Sequence, residues 1–310
     1  MPLGNAIFKS LAMKKLKGIL PAIVTPTNAG GIFQEGPFEK LLSFVYEKGV
    51  DGLYVCGQTG EGLQQSVRQR KLVTEAAVRF SPPSKTIMAH VGAANTADAV
   101  ELARHAEDAG AHALSALPPI GNYSFTEVKS YYQTLAEATS LPFFVYYFPS
   151  LSASIGSAAQ ILELCAIPNV AGLKFTDSDF FKMSVVCNSG ATLFNGFDEM
   201  LVAGMLMGAS GGIGSTYNVM PELFVQLYAQ ASAADWVAAR QTQATINELI
   251  EILLRYPVNP AVKQMLVWMG HDCGPAITPR RSLTAEECVW LGKSLLAGSH
   301  AWRFPYLPKV

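Results

Sequence analysis

The chain has 310 residues, half of them hydrophobic, with a net charge of −1 and only 15% charged side chains. That balance supplies core for one large domain or two small ones, and it carries no electrostatic footprint for nucleic acid or an anionic membrane surface. Five scattered cysteines (Cys56, Cys165, Cys187, Cys273, Cys288) form no CxxC pair, which argues against a disulfide scaffold and for a reducing, cytoplasmic compartment.

Residues 1–15 carry lysines and a few apolar residues without the long apolar stretch of a secretory signal, so they read as a loose leader. No later run approaches a membrane span. From residue 18 onward, short apolar runs alternate with segments of helical period. The strand candidates are 18–25, 52–56, 86–90, 113–117, 143–147, 170–175, 191–195 and 211–214. Each is mostly apolar throughout and does not alternate, as a strand buried on both faces should be. Helices are expected at 37–47, 67–80, 96–108, 126–138, 158–165, 180–187, 199–207 and 221–230, with Thr96 as an N-cap and Ser124-Phe-Thr-Glu127 as a capping box.

Strands alternating with helices imply a parallel sheet. Eight such units within residues 16–230 imply an α/β fold of the closed (β/α)8 TIM-barrel type, whose usual size is roughly 250 residues. An open doubly wound sheet would show a GxGxxG fingerprint after its first strand, and Pro26-Thr-Asn-Ala-Gly-Gly31 is not one. Further helices are expected at 234–254, 260–268 and 284–296, and the tail 302–310, with two prolines and three aromatics, reads as extended. The division is a leader (1–15), a barrel (16–230) and a C-terminal helical extension (231–310) that either covers one side of the barrel or forms an oligomer contact.

In such a barrel the chemistry sits at the C-terminal ends of the strands. The sixth run, Val170-Ala-Gly-Leu-Lys-Phe175, places Lys174 inside apolar sequence. Burial there would disfavour the ammonium, and a neutral amine can form a Schiff base with a ketone. The plainer alternative is a strand-end lysine reaching back to water. Strand five ends Val145-Tyr-Tyr-Phe-Pro149, so one of Tyr146 and Tyr147 faces the interior, either as packing or as a phenol that moves protons beside the amine. After strand two, Gly57-Gln-Thr-Gly-Glu-Gly62 is either an ordinary turn or a small anion nest built from backbone N–H groups and the Thr59 hydroxyl. Asp198 and Glu199 follow strand seven, as an N-cap or as acceptors for a polyol. Ser215 follows strand eight, where a phosphate or a sugar hydroxyl could bind. The histidines show no ligand spacing; no metal and no cofactor are expected, and His90 reads as structural.

With Lys174, Tyr146 and the turn at 57–62 assembled, the chain resembles the pyruvate-dependent class I aldolases of the N-acetylneuraminate lyase and dihydrodipicolinate synthase family, from about Leu16 to about Leu283. The family's Gly-Ser/Thr-Thr-Gly-Glu turn stands here as Gly57-Gln-Thr-Gly-Glu61, its Tyr-x-x-Pro strand as Tyr146-Tyr-Phe-Pro149, and its Gly-Leu-Lys strand as Gly172-Leu-Lys174. Leu151 stands where the synthases place an arginine, while Gly196-Phe-Asp-Glu199, Gly214-Ser-Thr-Tyr-Asn218 and Lys174-Phe-Thr-Asp-Ser-Asp179 are similar to the lyases.

The resemblance implies cleavage of a 2-keto-3-deoxy sugar acid, N-acetylneuraminate foremost, to pyruvate and a sugar aldehyde. Lys174, Tyr146 and Thr59 would be catalytic. Gln58, Thr176, Gly196, Asp198, Glu199 and Ser215 would bind substrate, and the assembly would be a homotetramer. Its departures are Gln58, where the family has a small hydroxyl residue, and the loop Pro118-Pro-Ile-Gly-Asn122, which lacks the family's tyrosine; Tyr123 lies just beyond. Competing readings are another 2-keto-3-deoxy sugar acid, a dihydrodipicolinate synthase, or a barrel that binds a ligand without catalysis.

Overall fold

The computed structural model describes residues 15–308; nearly all of the expected leader lies outside them. Eight strands follow one another: β1 Gly18–Pro21, β2 Gly52–Val55, β3 Thr86–His90, β4 Ala113–Ala116, β5 Phe143–Tyr147, β6 Val170–Phe175, β7 Thr192–Asn195 and β8 Gly211–Gly214. All pair in parallel, in the order β1-β8-β7-β6-β5-β4-β3-β2. A bridge between Ala22 and Tyr54, with Ile23 N–H donating to Tyr54 O at 3.0 Å, joins the two ends of the sheet. The expected (β/α)8 barrel is therefore the observed fold.

Two apolar cores follow from the strand periodicity. Residues of one parity fill the lumen, among them Leu20, Tyr54, Met88, Phe144, Tyr146, Phe194 and Ile213. Those of the other parity, such as Phe143, Val145, Tyr147, Leu173 and Phe175, pack outward beneath the helices. Because successive side chains alternate between faces, Lys174 shares the lumen with Tyr146, its direct register partner across β5 and β6.

The surrounding helices are α1 Glu35–Glu47, α2 Val67–Phe80, α3 Thr96–Asp108, α4 Phe125–Glu137, α5 Ala158–Cys165, α6 Phe180–Asn188, α7 Leu201–Leu206 and α8 Pro221–Ser232. Each presents an apolar stripe to the sheet; on α1 it is Phe38, Leu41, Leu42 and Val45. The capping box at Ser124 and Glu127 is present. The cap of α3 is Asn95, not Thr96, because the Asn95 side chain accepts from Asp98 N–H at 2.8 Å. The first strand is shorter than expected. Beyond Pro21 the backbone still pairs at Ala22 and Ile23, and the Asn218 side chain joins in, donating to Ala22 O at 2.8 Å and accepting from Val24 N–H at 3.2 Å. The tail is folded where extension was expected: Ala301–Arg303 make a 3-10 turn and Phe304 is buried.

The C-terminal extension contributes α9 Trp236–Leu253, α10 Val258–Met269 and α11 Ala285–Ala297. Part of it, α10 and the loop after it, sits against the turn that follows β2. Lys263 Nζ on α10 lies 2.7 Å from Glu61 Oε2, with both side chains buried. Glu61 Oε1 also accepts from Ile277 N–H at 2.9 Å, and Lys263 donates to Pro275 O at 2.8 Å. Removing one partner of a buried pair strands the other charge at a cost of about 3–5 kcal/mol. Lys263→Met is accordingly expected to lower the urea midpoint of the whole chain, and an unchanged midpoint would show that the pair braces nothing.

Candidate active site

Lys174 is 4% exposed, so the alternative of a lysine reaching to water is overturned. Its Nζ lies 4.2 Å from the centroid of the Tyr146 ring and 4.7 Å from that of Tyr54. No carboxylate stands within ion-pair distance among the described residues. Burial drives the ammonium pKa from its ordinary 10.5 down to about 7, against a smaller upward pull from the Asp198 charge. Desolvation therefore wins, and a large share of the amine is neutral near pH 7.

Tyr146 is 3% exposed, and burial pushes its phenol well above the ordinary range. The Thr176 hydroxyl, two residues beyond Lys174 and so on the same face, opposes that rise without making a full hydrogen bond. Thr176 Oγ1 is buried with no hydrogen-bond partner among the described residues. Gly196 is where β7 closes on Thr176: its N–H donates to Phe175 O at 2.8 Å, and a Cβ there would collide with Thr176 Oγ1. Gly172, in the same way, lets β6 approach the Thr192 carbonyl. Tyr147 faces away from the lumen, donating to Asp177 Oδ2 at 3.1 Å and accepting from Lys182 Nζ at 2.9 Å.

The turn 57–62 has the form of a nest. Cys56 and Glu61 both take left-handed conformations, with φ of 57° and 54°, positions that few non-glycine residues occupy. Glu61 N–H and Gly62 N–H close the turn onto Gln58 O and Gly57 O at 3.1 and 3.0 Å. The N–H groups of Gln58, Thr59 and Gly60 have no acceptor among the described residues. Thr59 Oγ1 lies 2.6 Å from Ser215 Oγ, which joins the turn to the end of β8. Gln58 is held on both sides: its carbonyl accepts from Asn259 Nδ2 at 2.7 Å and its side-chain Oε1 from Arg280 Nη2 at 3.3 Å.

Asp198 is not an N-cap. Its Oδ2 accepts from both the N–H and the hydroxyl of Thr216, each at 2.7 Å, and the 3-10 turn Asp198–Met200 has no side-chain cap. Burial raises this carboxyl to about 6, with the two Thr216 bonds opposing. From α9, Gln243 Nε2 donates to Asp198 O at 3.1 Å and Asn247 Nδ2 to Glu199 O at 3.2 Å. The Glu199 side chain is half-buried.

The sequence reading missed several residues. Tyr54 could have been found by strand parity, since it occupies the middle of the second run. Thr216 lay within the run 214–218 without being singled out, and Asn259, Lys263 and Arg280 had no local signal. His90 is structural as read: Nε2 accepts from Leu117 N–H at 3.1 Å, and burial holds its pKa well below 6.5. No three ligand-type side chains converge on a metal position among the described residues.

The model of the dihydrodipicolinate synthetase family matches residues 15–296. The chain belongs to this family. It is 36% identical over 292 residues to an N-acetylneuraminate lyase of Rhizobium meliloti (strain 1021), covering 93% of this chain and 97% of that protein. An Escherichia coli O6:H1 protein, N-acetylneuraminate lyase 2, is 35% identical over 260 residues, 83% of this chain and 85% of its own. Among solved structures, wild-type sialic acid aldolase of Ruminococcus gnavus superposes with a TM-score of 0.86 at 30% identity, covering 91% of this chain and 96% of that one. A dihydrodipicolinate synthase superposes nearly as well, with a TM-score of 0.85 at 26% identity over 90% of this chain and 98% of that one. The backbone alone thus does not separate the two branches of the family.

The amine is expected to titrate near pH 7 in the folded protein, read by NMR of 13C-lysine-labelled material with Lys174 assigned by its loss in Lys174→Ala. Since the Asp198 charge holds that pKa up, Asp198→Asn should move the midpoint lower. A midpoint that stays or rises removes Asp198 from the field at the amine.

Proposed function

We propose that the protein is a Schiff-base-forming aldolase that cleaves a 2-keto-3-deoxy sugar acid, with N-acetylneuraminate as substrate and pyruvate and N-acetylmannosamine as products. The observation that carries this reading is the buried Lys174 amine, set 4.2 Å from the centroid of the Tyr146 ring, with its pKa lowered by burial to about 7.

The neutral amine adds to the C2 ketone and water leaves. The resulting protonated imine receives the electron pair released as the C3–C4 bond breaks, giving an enamine that is then protonated and hydrolysed to free pyruvate. The C4 hydroxyl proton must depart in the same step. A phenol held well above its ordinary pKa is no standing phenolate base. Tyr146 instead passes its own proton to the substrate carboxylate as it takes the one from C4. Thr59 and the free N–H groups of the turn hold that carboxylate.

Asp198, Glu199, Ser215, Thr176 and Gly196 line the sugar end. Asp198 keeps one carboxylate oxygen outside the Thr216 bonds for this purpose. A second reading, the same chemistry on another 2-keto-3-deoxy sugar acid, is favoured by Gln58, whose side chain is larger than the residue the family usually carries. Against a dihydrodipicolinate synthase stands Leu151, which offers no charge to a second carboxylate. Barrel and extension act as one unit, working as a homotetramer in the cytoplasm on small molecules alone. Among the described residues no helix is long and apolar enough to cross a membrane.

Borohydride reduction in the presence of pyruvate is expected to add one pyruvate-derived group, located on Lys174 by mass spectrometry; an unlabelled protein would leave only a ligand-binding barrel. Lys174→Ala should abolish turnover. Tyr146→Phe should lower kcat by about 100-fold or more, the usual weight of a positioned proton-transfer group, while the half-saturating pyruvate in trapping changes little. Equal loss of both would contradict the proton-transfer role. Asp198→Ala should raise KM for the sugar acid without changing pyruvate trapping, and an unchanged KM removes Asp198 from the sugar end.

A further inference from the structure

Two adjacent arginines in the loop between α10 and α11 are treated differently by the fold. Arg281 is neutralised by Glu287, with two hydrogen bonds of 2.6 and 2.7 Å to its carboxylate. Arg280 has no acidic partner among the described residues. Its Nε is buried without a hydrogen-bond partner, and its Nη2 donates to Gln58 Oε1 at 3.3 Å. The loop is fixed at that place by its backbone, since Ile277 N–H is bonded to Glu61 and Arg280 N–H closes onto Ile277 O at 3.0 Å. The Arg280 side chain thus reaches, through Gln58, the turn whose Gln58, Thr59 and Gly60 N–H groups have no acceptor among the described residues, and it brings a positive charge with no acidic partner to that turn.

A guanidinium donates only, so whatever it grips must be an acceptor. Its contact with Gln58 therefore decides which way that amide lies: the oxygen is engaged, and the two N–H donors are the free face. We propose that Arg280 is a positioning residue for the carboxylate turn, holding the Gln58 amide so that it offers donors to the carboxylate of the keto acid and adding an uncompensated positive charge to that end of the site. The proposal rests on the aldolase reading. It gives Gln58 a function in place of the missing hydroxyl residue: a donor whose direction is set from outside the barrel.

The test is a double-mutant cycle in the full-length protein, read by the pyruvate concentration that half-saturates borohydride trapping and by steady-state kinetics. Arg280→Met should raise half-saturating pyruvate about tenfold, the weight of one hydrogen bond to a charged group, and should raise KM more than it lowers kcat. The salt dependence of pyruvate binding should flatten with it. Gln58→Met should have a similar effect, and the double variant should lose little beyond either single one. Arg280→Lys, which keeps the charge and loses the fork, should recover part of the affinity and most of the salt dependence, and it also serves if the methionine variant folds poorly. Unchanged half-saturation in Arg280→Met and Arg280→Lys, or fully additive losses in the double variant, overturns the proposal while trapping of the wild-type chain keeps the aldolase reading intact. A wild-type chain that pyruvate and borohydride fail to label removes both.

Discussion

The displacement of water from one amine governs the chemistry open to this protein. A closed parallel barrel buries both faces of every strand, so a lysine on the inward parity of β6 has two rings for neighbours and no bulk solvent. The ring faces are electron-rich and would welcome a cation, but their attraction is smaller than the hydration that has been lost. Asp198 is too weakly coupled to reverse this, and its own carboxyl is raised by the same burial. The result is an amine whose charged form is disfavoured by burial, with Tyr146 as its register partner.

Around that amine the site divides by origin. The lumen supplies Lys174, Tyr146, Tyr54 and Thr176 on neighbouring strands, where register fixes their spacing. The mouth is made of turns, which have no such regularity of their own, and the C-terminal extension shapes them. Lys263, Asn259, Ile277 and Arg280 hold the turn after β2, while Gln243 and Asn247 hold the turn after β7. The two left-handed residues, Cys56 and Glu61, bracket the first of these turns. Strain of about 1–3 kcal/mol at each such position persists only when surrounding contacts over-determine it, and the buried Glu61–Lys263 pair is such a contact.

Much of this was legible in the sequence because parallel strands write themselves as unbroken apolar runs. The eight runs, their helices and the inward placement of one residue of the Tyr146–Tyr147 pair followed from period alone. Strand and helix ends were less legible where a side chain takes over from the backbone. Asn218, 196 residues from Ala22, binds the backbone just past β1, and Asn95 caps α3 one residue before the expected Thr96. The Asp198 carboxylate shows the limit most clearly: beside a helical pattern a cap and a polyol acceptor read alike, and only the fold brings Thr216 to it. The bracing of the turn after β2 left no trace in local sequence, since its hydrogen-bond partners lie 201 to 222 residues apart. The tail's prolines pointed to an extended segment, whereas Phe304 needed burial more than the chain needed to stay straight.

That separation along the chain has a consequence for synthesis. All eight strands, with Lys174 and Tyr146 already in register, precede residue 215, but the groups that clasp the turn after β2 first appear at Asn259 and are completed at Arg280. Domains form as units while a chain emerges from the ribosome. A nascent barrel therefore carries its buried amine before the turn after β2 is clasped, and the clasp is complete only once the loop that follows α10 has emerged.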